Sequence, residues 1–471
     1  MIDDVMRRYP LPGDEARLKS KLRSALAGLD RKIVVLDDDP TGVQTVHNIS
    51  VYTEWSEEAI QSGFLESSPM FFILTNSRSL TAGDTAGLHR DIAINLLKVA
   101  SRLDKKFIII SRSDSTLRGH YPLETEVLRK TIEDNSSIRI DGEIIMPFFR
   151  EGGRFTINNI HYVQEGKYLI PAGKTEFARD KTFGYTHSHL GKWIEEKSSG
   201  RYNAEKVKYM PLEKLRNGQI DEIAETLLAM SDFEKLVVNS LDYYDVEAFT
   251  LALLRALRQG RNFIARSAAA LPKVLGGVPD RELLSESELI REKTGTGGLI
   301  IAGSHVKRTT EQLEELKKCG FIKFIEFNQH LVLEPEKLNN EVNRVVAEVE
   351  KLLSSGKTVA VYTRRDRFDL GARDREKELL VSVRISEAIT DIVRKLKVRP
   401  KYIIAKGGIT SSDIGTKGLG VRKAVVAGQI KPGIPVWITG KESKFPGMPY
   451  IIFPGNVGTK DTLREVAEIM A

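Results

Sequence analysis

The feature that most constrains this chain is the recurrence of short, unbroken apolar runs separated by helix-length amphipathic stretches. A first set comprises KIVVL (32–36), FFIL (71–74), FIII (107–110), EIIMPF (143–148) and KLVVNS (235–240). A second comprises GLIIAG (298–303), TVAVYT (358–363), YIIAKGG (402–408) and VWITG (436–440). Continuous runs of this kind suit strands buried on both faces of a parallel sheet. Their alternation with helices predicts an α/β fold, with two α/β domains built on mainly parallel sheets. Asp84 reads as the cap of a helix over 85–99, whose Leu88, Ile92, Leu96 and Val99 share one face. Pro122 suits the first turn of a helix over 122–132, and 309–320 reads as a helix stopped by Gly320.

A chain of 471 residues is long enough for two cores. The polar stretch 273–297, with its Gly-Gly, Pro and Gly-Thr-Gly punctuation, predicts a division near residue 290. That gives a first domain over 1–290 and a second over 291–471. Residues 150–232 are less regular and richer in Gly, Lys and His, and read as an elaboration of the first domain.

Charge and cysteine usage narrow the function. Lys and Arg number 71 against 64 Asp and Glu, a mild net charge of +7. No basic stretch is interleaved with aromatics, so an anionic small molecule fits better than nucleic acid. No apolar run approaches the ~18–20 residues of a membrane span. The amino-terminal residues hold no apolar signal core, so a cytoplasmic protein is expected. The single cysteine, Cys319, excludes an intramolecular disulfide and a cysteine zinc site, and is expected as a thiol at the end of a surface helix.

Ligands of open parallel sheets bind where the carboxyl ends of the strands meet loops. After KIVVL come Asp37, Asp38 and Asp39, then Pro40-Thr41-Gly42. Three adjacent carboxylates must stay solvated, find cations or bind donors. After FFIL comes Thr75-Asn76-Ser77-Arg78-Ser79, with a guanidinium suited to a carboxylate. After FIII, residues 111–120 interleave Arg112, Ser113, Asp114, Ser115, Thr116, Arg118 and His120, as a small polyhydroxylated acid would require. In the second half the strand ends carry glycine and hydroxyl groups instead: Gly303-Ser304, Gly407-Gly408-Ile409-Thr410, and Gly455-Asn456-Val457-Gly458. Such turns bring backbone N–H groups close to an anion, and a phosphate site is expected there although no Walker A loop is present. His187 and His189 read as loop histidines, while His47, His120 and His305 adjoin the ligand loops. Arg364-Arg365-Asp366-Arg367 reads as a solvated loop, and Trp193 and Trp437 as packing residues.

Taken together, these loops resemble those of the four-carbon acid sugar kinase family, which phosphorylates tetronates such as threonate, erythronate and 3-oxo-tetronate with ATP. DDPTG (38–42), TNSR (75–78) and RSDSTLRG (112–119) resemble its substrate-side signatures. IAGS (301–304), KGGITSSD (406–413) and the GNVG core of 455–458 resemble its nucleotide-side ones. The resemblance implies a sugar-acid-binding first domain, a nucleotide-binding second domain and an active-site cleft between them. It places Asp38, Arg78, Arg112, Ser113, Asp114 and Ser115 on the acid, and Ser304, Gly407, Gly408, Ile409, Thr410, Gly455 and Gly458 on ATP. Arg78 and Arg112 would then clamp the substrate carboxylate, and one of Asp38, Asp39 and Asp114 would orient and deprotonate the attacking hydroxyl. Mg²⁺ is expected to bridge the phosphates, and a homo-oligomer is compatible with the sequence.

Two other readings fit part of the pattern. VVLDDDPT also matches a haloacid-dehalogenase-like phosphohydrolase, with Asp37 as nucleophile and Asp39 as its acid–base partner. A non-catalytic binding protein on the same scaffold is the second.

Overall fold

Ile33, Val34, Val35 and Leu36 are all essentially buried, although successive strand residues point to opposite faces of a sheet. Both faces are therefore covered, as the unbroken apolar run requires. The computed structural model describes residues 1–290, 295–303, 306–366, 375–455 and 457–471, with the backbone alone for 375–380. The chain forms two compact units, Met1–Asp280 and Arg281–Ala471.

The first unit contains β1 (Arg31–Asp37), β2 (Ile49–Tyr52), β3 (Met70–Leu74), β4 (Lys106–Arg112) and β5 (Gly142–Met146). A small group follows, β6 (Arg154–Ile157), β7 (Ile160–Glu165) and β8 (Tyr168–Pro171), and then β9 (Lys208–Met210), β10 (Glu234–Val238) and β11 (Phe263–Ser267). The main sheet runs β2-β3-β1-β4-β11-β5-β10-β9 with every pair parallel. The chain steps from β1 to β3 on one side and to β4 on the other, so β1 and β4 flank a topological switch point. Residues β6 to β8 form a separate antiparallel sheet, which gives the 150–232 elaboration its own structure.

Helix Ala82–Leu103 packs Leu88, Ile92, Leu96 and Val99 inward, as their spacing dictates. Its cap is Thr81 and not Asp84: the Thr81 hydroxyl accepts the Asp84 N–H at 3.2 Å. The reason is local, because an N-cap oxygen serves the amide three residues on, which is that of Asp84 itself. Helix Leu123–Asn135 starts directly after Pro122.

The second unit contains β12 (Leu299–Ala302), β13 (Ile322–Phe327), β14 (Thr358–Thr363), β15 (Ile403–Lys406), β16 (Lys423–Lys431), β17 (Ile434–Thr439) and β18 (Pro449–Phe453). Its strand order is β13-β14-β12-β15-β18-β17-β16. The first five strands are parallel, whereas β17 runs antiparallel to both neighbours and forms a hairpin with β16. Cys319 follows helix Lys307–Leu316 but is buried in this unit's core, contrary to the expected surface position. Burial pushes its thiol up, away from nucleophilic use. Trp193 and Trp437 are both fully buried packing residues. Among the described residues, no helix is long and apolar enough to cross a membrane.

Candidate active site

Where β1 ends, parallel pairing sets Asp37 opposite Leu74 on β3 and Arg112 on β4. Adjacent strand ends thereby deliver the DDDPT, TNSR and RSDST loops to one place. Arg112 Nη1 donates to Asp37 Oδ1 at 2.9 Å and to Asp38 Oδ1 at 3.4 Å. All three side chains are buried. Burial pushes the Asp37 carboxyl up to about 7 against the pull of Arg112. It pushes Asp38 up to about 6 against Arg78 and Arg112.

The other two carboxylates behave oppositely. Asp39 is ion-paired with Arg78 and accepts the Thr41 N–H at 2.8 Å and the Thr41 hydroxyl. Burial alone would raise it, but Arg78, Thr41 and Arg112 outweigh burial and hold it below the usual carboxylate range. Asp114 accepts Arg118 Nε at 2.7 Å and the Thr116 hydroxyl, with Arg78 Nη1 at 3.4 Å. These cations and donors override its burial and hold it well below that range. The Asp114 N–H reaches Asp38 Oδ2 at 3.3 Å, so the carboxylates share one cluster. Ser113 is locked by its N–H on the Ser267 carbonyl at 2.9 Å, and Ser115 lies buried beside it.

Arg78 and Arg112 thus hold the protein's own carboxylates, a different geometry from a clamp on an incoming acid. The open side is at Arg78, Asp39 and Asp114, whose side chains are 20%, 16% and 12% exposed, against 1% for Asp37. Asp37 is also walled by Gly42, where a Cβ would lie 2.1 Å from its Oδ1. Asp38 is as buried, at 2% exposed, but the two differ in their oxygens: both of Asp37 lie against Gly42, where a Cβ would stand 2.1 and 2.2 Å away, whereas Asp38 Oδ2 takes one long N–H bond. Asp37 therefore lacks the free oxygen that a phosphohydrolase nucleophile needs. Gly42→Ala should accordingly cost about 1–3 kcal/mol in urea unfolding, the usual penalty of overpacking; an unchanged midpoint would contradict this packing.

Residues that the sequence did not single out hold the loops in place. Glu124 is buried on helix Leu123–Asn135, accepts the Ser77 hydroxyl at 2.6 Å and pairs with Arg266 at the end of β11. Arg266 also donates to the Arg118 carbonyl at 3.2 Å. From the small sheet, His161 Nε2 donates to the Ser115 carbonyl at 2.8 Å, and Nδ1 lies 3.0 Å from the Thr156 hydroxyl. A carbonyl only accepts, so Nε2 carries the proton and Nδ1 takes the hydroxyl's; burial pushes this imidazole down to about 4 and keeps it neutral. Tyr185 donates to the Thr116 carbonyl at 2.7 Å. The elaboration is a buttress for the RSDST loop. His120 and His47 bond backbone carbonyls of Leu80 and Pro279, and His189 caps helix Leu190–Lys197.

In the second unit the glycine loops follow β12, β15 and β18, which are neighbours in the sheet. Gly407 has φ +118°, a conformation that favours glycine, and its N–H donates to the Phe453 carbonyl at 2.8 Å. Gly408, Ile409 and Thr410 open the helix Gly408–Asp413, with Ile409 62% exposed. A Cβ on Gly303 would fall 2.9 Å from Thr410 Oγ1, so these two loops touch. Gly455 and Gly458 lie in the loop after β18, Gly458 with φ +82°. Ser304, His305 and Arg367 lie outside the described residues. Lys406, the last residue of β15, is fully buried and donates to the carbonyls of Pro454 at 2.6 Å and Gly455 at 2.9 Å. Burial, with Arg308 adding to it, pushes its amine down to about 7. Among the described residues, no three His, Cys, Asp or Glu side chains are grouped to hold a metal ion.

Family models fall on both units: a sugar-binding N-terminal domain over residues 33–275 and a nucleotide-binding C-terminal domain over 299–463. The first of these alone spans more than half of the chain. The protein belongs to the four-carbon acid sugar kinase family. As a member of it, the protein is a kinase, a phosphotransferase acting on an alcohol group. The D-erythronate kinase of Heliobacterium modesticaldum (strain ATCC 51547 / Ice1) is 21% identical over 341 residues, 70% of each chain. Haemophilus influenzae protein HI1011 shares the fold at a TM-score of 0.61 and 17% identity, covering 93% of this chain and 99% of that one. A Salmonella typhimurium LT2 protein proposed to be a tRNA synthase shares it at a TM-score of 0.65 and 15% identity, covering 93% and 98%.

Proposed function

We propose that this family member phosphorylates a hydroxyl of a four-carbon sugar acid with ATP, the acid held by the first unit and the nucleotide by the second. The observation that carries the reading is a carboxylate cluster at three neighbouring strand ends: Arg78, Thr41 and Arg118 bind Asp39 and Asp114 and fix them as anions, while Asp38 keeps an oxygen with one long N–H bond and is raised, like the walled-in Asp37 beside it. A base works best when its pKa lies near the working pH, which assigns proton removal to Asp38 and positioning to Asp39 and Asp114. Asp38 Oδ2 receives a single long N–H bond and faces Gly119, where a Cβ would sit 3.4 Å away. That oxygen retains a lone pair for a substrate hydroxyl. Transfer from ATP depends mainly on positioning and charge neutralisation.

The glycine turns at Gly407–Thr410 and Gly455–Gly458 supply main-chain N–H groups for the phosphates, with Ser304 on the same nucleotide. The Gly407 N–H is taken by the Phe453 carbonyl, so Gly407 shapes the turn and the amides of Gly408, Ile409 and Thr410 do the binding. Mg²⁺, which takes few protein ligands at such sites, would arrive on the phosphate oxygens and neutralise their charge. The family relative named for D-erythronate supports the four-carbon acid. A coupled ADP-release screen over the threonate, erythronate and 3-oxo-tetronate isomers tests the reading. Turnover with one of them is the expected result, and ADP release that no tetronate stimulates would refute it.

A further inference from the structure

We propose that Arg154 receives the carboxylate of the substrate and sets the preference for an acid over the corresponding uncharged polyol. The inference rests on the sugar-acid kinase reading and adds to it a residue that none of the family-like motifs contains.

The first ground is how the cations are used. Arg78, Arg112 and Arg118 are all committed to Asp37, Asp38, Asp39 and Asp114. Three guanidiniums already paired with four carboxylates leave no unclaimed positive charge there for another carboxylate. Arg154 differs from them. Among the described residues its guanidinium makes no ion pair, and its Nε is buried without a hydrogen-bond partner. A half-buried cation with no ion pair is incompletely compensated, and a ligand carboxylate would complete it on binding.

The second ground is place. The Arg118 guanidinium lies 5.1 Å from the centre of the Phe177 ring and that of Arg154 5.6 Å from the same centre. Arg118 in turn holds Asp114. Arg154 and Arg118 therefore share the Phe177 ring as a neighbour, and Asp114 is the main charge that offsets the burial of Arg154.

The third ground is that the position is built. Arg154 and Phe149 exchange backbone hydrogen bonds at 2.9 and 3.1 Å, which fixes the start of β6. A Cβ on Gly152 would stand 3.1 Å from Arg154 Nη1, so glycine leaves room for the guanidinium. The backbone is fixed while the fork stays unclaimed, which suits a two-point grip on a carboxylate.

The test uses the full chain, the tetronate that the ADP-release screen selects, and the polyol in which its carboxylate is reduced to an alcohol. Arg154→Met should raise KM for the acid on the order of 10²-fold, change kcat only a few-fold, and leave calorimetric binding of the polyol unaltered. Arg154→Lys, which keeps the charge and loses the fork, should recover part of the loss. It also decides the matter if the methionine variant does not fold: the prediction is then a raised KM at near-normal kcat. An unchanged KM in both variants, or equal weakening of acid and polyol, would overturn the inference alone. A wild-type protein that binds and turns over no tetronate would overturn the kinase reading and this inference with it.

Discussion

Asp38→Asn should lower kcat by about 10²–10⁴-fold, the range that a general base contributes, while leaving the fold intact. The substitution keeps shape and removes the only carboxylate of the Asp38, Asp39 and Asp114 set whose proton affinity is raised, to about 6. The pH profile gives an independent reading. With Asp38 as the base, kcat/KM falls as pH drops through about 6, because the carboxyl takes up a proton there. Asp39 and Asp114, held below the usual range, would stay ionised across that interval and produce no such limb. Asp37, raised to about 7, titrates close by, so the limb is assigned to Asp38 by its loss from the residual activity of Asp38→Asn. Turnover of the asparagine variant within a few-fold of wild type, or a wild-type profile flat from pH 5 to 7, would reassign the base.

Arg266→Met should destabilise the first unit by about 3–5 kcal/mol, the cost of leaving a buried charge without its partner. The partner is Glu124, which is 2% exposed and also bonded to Ser77. This pair ties the TNSR loop, helix Leu123–Asn135 and β11 together, and through the Arg118 carbonyl it reaches the RSDST loop. Combining Arg266→Met with Glu124→Gln should return part of the lost stability, since the second change removes the orphaned charge. Urea unfolding of the two singles and the double would measure this, and additive losses would show that the pair is not coupled.

Much of the fold was legible because burial on both faces leaves an unbroken apolar signature, and all nine such runs are strands. Strands of another character were missed. IKFIEF lies at the sheet edge as β13, where the exposed Lys323 and Glu326 interrupt the apolar run. FIARS was interrupted by Arg266, whose neutralising partner stands 142 residues away in sequence. The antiparallel turn of VWITG was equally hidden, since an apolar run carries no direction. At the site, the three acidic and basic loops were visible as strand-end clusters. Their internal pairing was not: Arg78 and Arg112 read as substrate cations because nothing local says that register places them against Asp39 and Asp37. Arg154, and the burial of Lys406 within KGGITSSD, were hidden for the converse reason: among the described residues neither has a carboxylate in an ion pair, which only three-dimensional neighbours reveal.

The most direct test of the division of labour is ³¹P NMR of a mixture of ATP, Mg²⁺, the selected tetronate and enzyme. The account predicts a new phosphomonoester resonance that grows in step with ADP and is nearly lost with Asp38→Asn. Growth of inorganic phosphate alone, unaffected by the acid, would contradict it.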